Sequence, residues 1–130
     1  MVSPSLPSLN EITETMNPNT ETAVWRTVCR VDDILPNTSI CALINNRHVA
    51  AFQVRTDTEQ LFAIDNHDPN TGASVLSRGL VGNLGERIVV ASPIYKHHFD
   101  LQSGECLEAP ENSVSAYPVR IENRQVLVAL

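Results

Sequence analysis

The sequence predicts an all-β domain, an antiparallel β-sandwich or small barrel. Three observations carry this. From residue 23 onward, short β-branched runs alternate with turn residues at close spacing, the pattern of many short strands. After residue 22 no 3.6-residue apolar period persists, so no amphipathic helix competes. The chain has 130 residues, of which 42% are apolar and 18% charged, enough for the core of one domain and too little charge for full disorder.

The elements follow in order. Residues 1–22 are rich in Ser, Thr, Asn and Pro, with Pro4, Pro7 and Pro18. Apart from a frayed helical turn over 9–16, they are expected to form a disordered tail, because they bring little apolar surface to offset ordering entropy. Residues 23–130 form the β domain. A strand over 24–31 runs into a loop over 32–37 with room for one 3₁₀ turn. Strands over 39–44 and 48–54 are joined across Asn45-Asn46, a tight hairpin because Asn tolerates positive φ. After a turn at 56–59, a strand over 60–64 completes that meander. Residues 65–85 carry Pro69, Gly72, Gly79, Gly82 and Gly85 and read as one long loop. A loop of that length inside a compact domain is functional or covers something. Strands over 87–91 and 97–101 flank a loop at 92–96, and a turn follows at 102–105. A last hairpin pairs 114–121 with 125–129 around Glu122-Asn123-Arg124.

Composition excludes several functions. Nine Lys and Arg against fifteen Asp and Glu leave a net charge of −6, which disfavours nucleic acid as a partner. No window approaches a membrane span, and residues 1–10 have neither Lys nor Arg nor the apolar centre of a secretory signal. Cys29, Cys41 and Cys106 are odd in number and form no C-x-x-C. The protein therefore reads as cytoplasmic with reduced thiols, each a small buried apolar residue.

Catalytic motifs are missing. Ser74, Ser77 and Ser92 lack a G-x-S-x-G context, and Gly79, Gly82 and Gly85 precede neither Lys nor a helix. A metal set of His67, Asp68 and either His97 or His98 is conceivable, although adjacent strand residues face opposite ways and His97 and His98 cannot share one ion. Surface or loop-packing histidines are the simpler reading, with His48 solvated at a hairpin start.

Residues 61–104 carry a pattern with a precedent. The run Phe62-Ala63-Ile64-Asp65-Asn66 ends a strand, and Asp68-Pro69-Asn70 follows at once. Ser92-Pro93-Ile94-Tyr95 comes next, then His98-Phe99-Asp100-Leu101 and a Gly104 turn. This organisation resembles the cluster-binding half of a Rieske-type ferredoxin domain. There, C-x-H on one loop and C-x-x-H on a second hold a [2Fe–2S] centre through two thiolates and two imidazoles. In this chain those four positions are Asp68, Asn70, Ser92 and Tyr95. A carboxylate, an amide and two hydroxyls are poor ligands for iron–sulfide. Cys106 lies past the Gly104 turn and is expected to be out of their reach. The expectation is a Rieske-like fold without a cluster, its loops packed by their own side chains, with Pro69 and Pro93 keeping their shape.

One ligand-less Rieske-like family is similar over about 23–130. Ala73-Ser74-Val75-Leu76-Ser77-Arg78-Gly79-Leu80, then Val89-Val90-Ala91-Ser92-Pro93, with Trp25 and the 32–36 loop, resemble the small subunit of cytoplasmic NAD(P)H-dependent nitrite reductase, the NirD family. The resemblance implies a partner, the large subunit, which carries FAD, a [4Fe–4S] cluster and sirohaem and reduces nitrite to ammonia. It implies no catalytic residue, metal or cofactor on this chain. The two former cluster loops would dock on that partner, with Arg78, Pro93, Ile94, Tyr95 and His97 as the interface. Arg78 could instead only stabilise its loop, and Tyr95 could fill the vacated cluster space. The alternatives are a ligand-less adaptor domain or a Rieske-type electron carrier.

Overall fold

A computed structural model describes residues 24–130, so the tail expected over 1–22 lies outside the described residues. The strands are β1 (Trp25–Arg30), β2 (Thr38–Ile44), β3 (Arg47–Arg55), β4 (Glu59–Asp65), β5 (His67–Asp68), β6 (Ala73–Ser74), β7 (Leu80–Leu84), β8 (Arg87–Ala91), β9 (His98–Asp100), β10 (Ala116–Tyr117), β11 (Val119–Glu122) and β12 (Gln125–Ala129). All pairings are antiparallel. A four-stranded sheet of order β10-β4-β3-β2 is flanked by the three-stranded sheets β1-β12-β11 and β7-β8-β9, and β5-β6 is a small ribbon.

The central strand shows why this is the arrangement. β3 is buried from Val49 to Val54 on both faces. One face contributes Ala50, Phe52 and Val54 to a core with Ile64, Leu76, Val90, Phe99, Leu101 and Cys106. On the other face Val49 packs with Ile44, Ala63 and Val128. A strand buried on two sides must read as a continuous apolar run. Its exception, the buried Gln53, donates from Nε2 to the carbonyls of Val31 (3.1 Å) and Ile34 (2.8 Å), tying the β1–β2 connection to the core.

The hairpins have local causes. Asn45 and Asn46 have φ of 51° and 64°, and Asn123 and Arg124 of 52° and 61°, the left-handed pairs that suit the twist of two-residue turns. The connection 31–33 is a 3₁₀ turn, as its composition suggests.

Two expectations are corrected. The stretch 65–85 is not one loop. It builds β5, β6, a 3₁₀ turn at Leu76–Arg78 and the whole of β7, which pairs with β8 from Leu80↔Ala91 to Leu84↔Arg87. Gly82 inside that strand and Gly79 just before it hid it, since closely spaced glycines read as breaks. Gly79 is small for a packing reason, because a Cβ there would collide with the Ala91 carbonyl and the Val90 side chain. The final strand is also split. Pro118 divides 114–121, so that β10 joins β4 in one sheet and β11 joins β12 in another.

Candidate functional site

At one end of the fold, loop 1 (residues 66–78) and loop 2 (residues 92–97) meet. Loop 1 begins at Asn66, which is buried. Its main chain receives a hydrogen bond from the Leu76 N–H (3.0 Å) and donates to the His48 carbonyl (2.8 Å). Its side-chain oxygen accepts from the Ser77 N–H (2.6 Å), and Nδ2 donates to the Ser74 carbonyl (3.2 Å) and Cys41 Sγ (3.3 Å). One asparagine thus fastens both ends of the loop. Its sequence signal is the polar Asp65-Asn66 pair closing an apolar strand; the bracing itself depends on partners 8, 11 and 25 residues away.

The next turn is organised by Asp68. Its Oδ1 accepts from the Asn70 N–H (2.9 Å), and its carbonyl accepts from the N–H groups of Thr71 and Gly72. Short Asp side chains cap turns in this way. Asp68 is fully buried, and its Oδ2 accepts the Ser92 hydroxyl proton at 2.6 Å. This bond joins the two loops. Asn70 adds a second tether, accepting at Oδ1 from Asn112 Nδ2 (2.8 Å) and donating to Cys106 Sγ (3.6 Å). Cys106 therefore reaches one of the four former ligand positions, contrary to its expected remoteness, because the isolated bridge Phe99↔Cys106 folds the chain back beneath the loops.

Loop 2 is closed by the Ser92 N–H to the His97 carbonyl (2.8 Å). Tyr95 and Lys96 follow each other in left-handed backbone, at φ of 62° and 58°. Two consecutive non-glycine residues in that region carry strain of about 1 kcal/mol or more each. Tyr95 does not fill the cluster space, since it is 74% exposed, with Ile94 at 37% beside it. Pro93 and Arg78 are also exposed. His97 is half-buried, and its Nδ1 is enclosed without a hydrogen-bond partner.

These residues do not fit a [2Fe–2S] cluster. Three of the four positions, Asp68, Asn70 and Ser92, spend their polar atoms on one another and on their neighbours, and the fourth, Tyr95, faces outward. The thiols do not compensate. Cys106 is buried and in contact with an amide, Cys41 is exposed on β2 and Cys29 is half-buried on β1. Burial, aided by Asp33, pushes the Cys29 thiol up to about 11, away from the thiolate that iron needs. The picture of three buried thiols holds for Cys106 alone. Cys41 stands at an exposed sheet edge, 4.0 Å from Nδ1 of His48, which is exposed as expected.

The mononuclear alternative fares no better. His67 is exposed while Asp68 is buried, as their alternation along β5 requires. Among the described residues no three His, Cys, Asp or Glu side chains converge on a common point. His98 is instead held by Glu108, at 2.6 Å from Nδ1 to Oε2. No helix among the described residues is long and apolar enough to cross a membrane.

Comparisons with known proteins identify the family. The family model for the Rieske-like [2Fe-2S] domain matches residues 24–129. The nitrite reductase (NADH) small subunit of Escherichia coli is 42% identical over 99 residues, which are 76% of this chain and 91% of that protein. The solution structure of the E. coli protein NirD superposes with a TM-score of 0.76 at 39% identity, covering 84% of this chain and 98% of that one. The nitrite reductase [NAD(P)H] large subunit of Klebsiella oxytoca contains a stretch 38% identical over 104 residues, which are 80% of this chain but 11% of that protein. With a Rieske-like β fold over residues 24–129 and this identity over most of its length, the chain belongs to the NAD(P)H nitrite reductase small-subunit family, an accessory component of an oxidoreductase.

Proposed function

We propose that the chain is a docking subunit that binds the large subunit of NAD(P)H nitrite reductase through loops 1 and 2 and contributes no cofactor of its own. The flavin, [4Fe–4S] and sirohaem chemistry that reduces nitrite to ammonia resides on the partner, in the cytoplasm. Arg78, Pro93, Ile94, Tyr95 and His97 form the contact surface, and no residue of this chain touches the reacting atoms.

The observation that carries the reading is the contrast at the tip. The former ligand positions are locked together by the buried Asp68–Ser92 bond, while Ile94 and Tyr95 are held outward on strained backbone. Exposed aromatic and apolar side chains on rigid turns are the groups that anchor interfaces. Strained backbone retained at such a site points to use. The Klebsiella protein supports the choice of partner. In that protein a stretch similar to this chain lies within the large subunit itself, where linkage in one chain would keep the two parts at high effective concentration. A separate small subunit must achieve this through a surface.

Capture of this chain from its native cells grown on nitrate, with an absorption spectrum of what accompanies it, tests the reading. A flavin- and sirohaem-bearing partner is expected. The Tyr95→Ala/Arg78→Ala double variant should weaken the complex at least about tenfold. Unchanged complex formation by that variant would refute the docking role of the loops.

A further inference from the structure

We infer that the tip recognises an acidic patch on the large subunit, with Arg78 and Lys96 meeting carboxylates on either side of an apolar pocket for Tyr95. The inference rests on the docking role proposed for the loops and names the chemistry of the surface they meet.

The charge map carries it. The chain is acidic overall, at −6. Five of its nine cations, Arg47, Arg55, Arg87, Arg120 and Arg124, pair with carboxylates of the chain itself. Among the described residues Arg78 and Lys96 have no carboxylate partner within salt-bridge distance, and both are exposed. Arg26 and Arg30 also lack one, but they lie on β1, with Asp32 and Asp33 directly after it. Between residues 69 and 99 the sequence has a single carboxylate, Glu86. Glu86 sits in the β7–β8 turn, next to the Leu84↔Arg87 pair, at the opposite end of that hairpin from Leu80↔Ala91. Asp68 is buried and engaged by Ser92. Glu108 is occupied by His98. Glu111 remains, exposed beside Asn112, on the segment that touches Asn70. Against it stand Arg78 and Lys96.

The fold also brings the two cations to one end of the molecule. Gly79 packs directly on the Ala91 backbone, and Leu80 pairs with Ala91, the residue before loop 2. Arg78, two residues before β7 begins at Leu80, therefore lies beside the start of loop 2, and Lys96 lies within that loop. Leu80 (76% exposed), Ile94 and Tyr95 supply the apolar part of the same end. Exposed charges around an apolar centre govern association rate and orientation more than final affinity. An acidic partner patch would repel the rest of this molecule and attract this end, which orients the encounter.

The test uses the full chain and the purified large subunit, with association rates and Kd measured from roughly 50 to 300 mM NaCl, a range over which exposed charges become screened. Wild-type association should slow several-fold with salt. Arg78→Glu/Lys96→Glu should slow it about tenfold or more at low salt and abolish or invert the salt dependence, with Arg78→Gln/Lys96→Gln in between. Unfolding curves of the free variants should match wild type, because both side chains are exposed. If charge reversal leaves the association rate unchanged while Tyr95→Ala weakens binding, docking stands and the acidic patch is wrong. If neither variant changes binding, both the docking role and the acidic patch fall.

Discussion

Loops 1 and 2 share one end of the molecule and are built in opposite ways. Loop 1 is fastened from within. Asn66, Asp68 and Asn70 satisfy its main chain, its partner loop and the segment behind it, and Leu76 plants its far end in the core. Loop 2 has one buried anchor, Ser92, and then turns outward through two left-handed residues. In Rieske-type domains both loops are gripped by a cluster. Here polar side chains of loop 1 perform the gripping, and loop 2 is left to present its side chains. The difference teaches that losing the ligands need not loosen the tip. A carboxylate–hydroxyl bond shielded from water can hold two loops together, because leaving either partner unsatisfied there is costly.

The comparison can be broken most decisively at Asn66. Asn66→Ala removes three side-chain hydrogen bonds and leaves the Ser77 N–H without its acceptor. It should cost about 3 kcal/mol of stability by urea denaturation. A loss under about 1 kcal/mol would mean that loop 1 is not the buttress. Next comes the bond between the loops. Ser92→Ala should cost about 2 kcal/mol, and with Asp68→Ala it should show a coupling of about 1 kcal/mol in a double-mutant cycle. Additive losses would show two independent loops.

Loop 2 should respond in the reverse sense. Tyr95→Gly replaces a strained left-handed residue by one that adopts that conformation freely, so stability should rise by about 1 kcal/mol while affinity for the large subunit falls. A stability loss would mean that Tyr95 packs in the free protein.

The smallest effect concerns pH. Burial works against ionisation of Asp100, but hydrogen bonds from Arg87 and from the Ser103 and Gln102 N–H groups outweigh it and hold this carboxyl below the ordinary range. With the folded pKa depressed, its contribution is present above the unfolded value of about 3.9 and is lost as pH falls through the folded one. Denaturation midpoints should therefore fall less below about pH 4 in Asp100→Asn than in wild type. Equal acid sensitivity would show that the Arg87–Asp100 contact contributes nothing.

The legible parts of the molecule are those dictated by neighbours in sequence. The meander β2-β3-β4 follows from two apolar runs and Asn45-Asn46, because a two-residue turn sets its own register. The resemblance that assigns Asp68, Asn70, Ser92 and Tyr95 to former ligand positions rests on motif spacing alone. β7 stayed hidden because its strand character depends on pairing with β8 and on Gly79 fitting against Ala91. The exchange of sheets at Pro118 stayed hidden because it depends on which distant strand offers an edge. At the tip, the contact of Asn70 with Cys106 spans 36 residues and the Asp68–Ser92 bond spans 24. No local pattern encodes such pairs.

By itself the sequence determined the β class, the hairpin turns and the family resemblance, which implies four replaced cluster ligands, since each depends on residue type and short spacing. Only the tertiary structure decided what the replacements do. It turned Asp68, Asn70 and Ser92 inward as a hydrogen-bonded clasp, turned Tyr95 outward, and left Arg78 and Lys96 without carboxylate partners among the described residues. The physical reason is that hydrogen bonding and charge pairing depend on which groups burial brings within about 3 Å, and that proximity is a property of the folded chain.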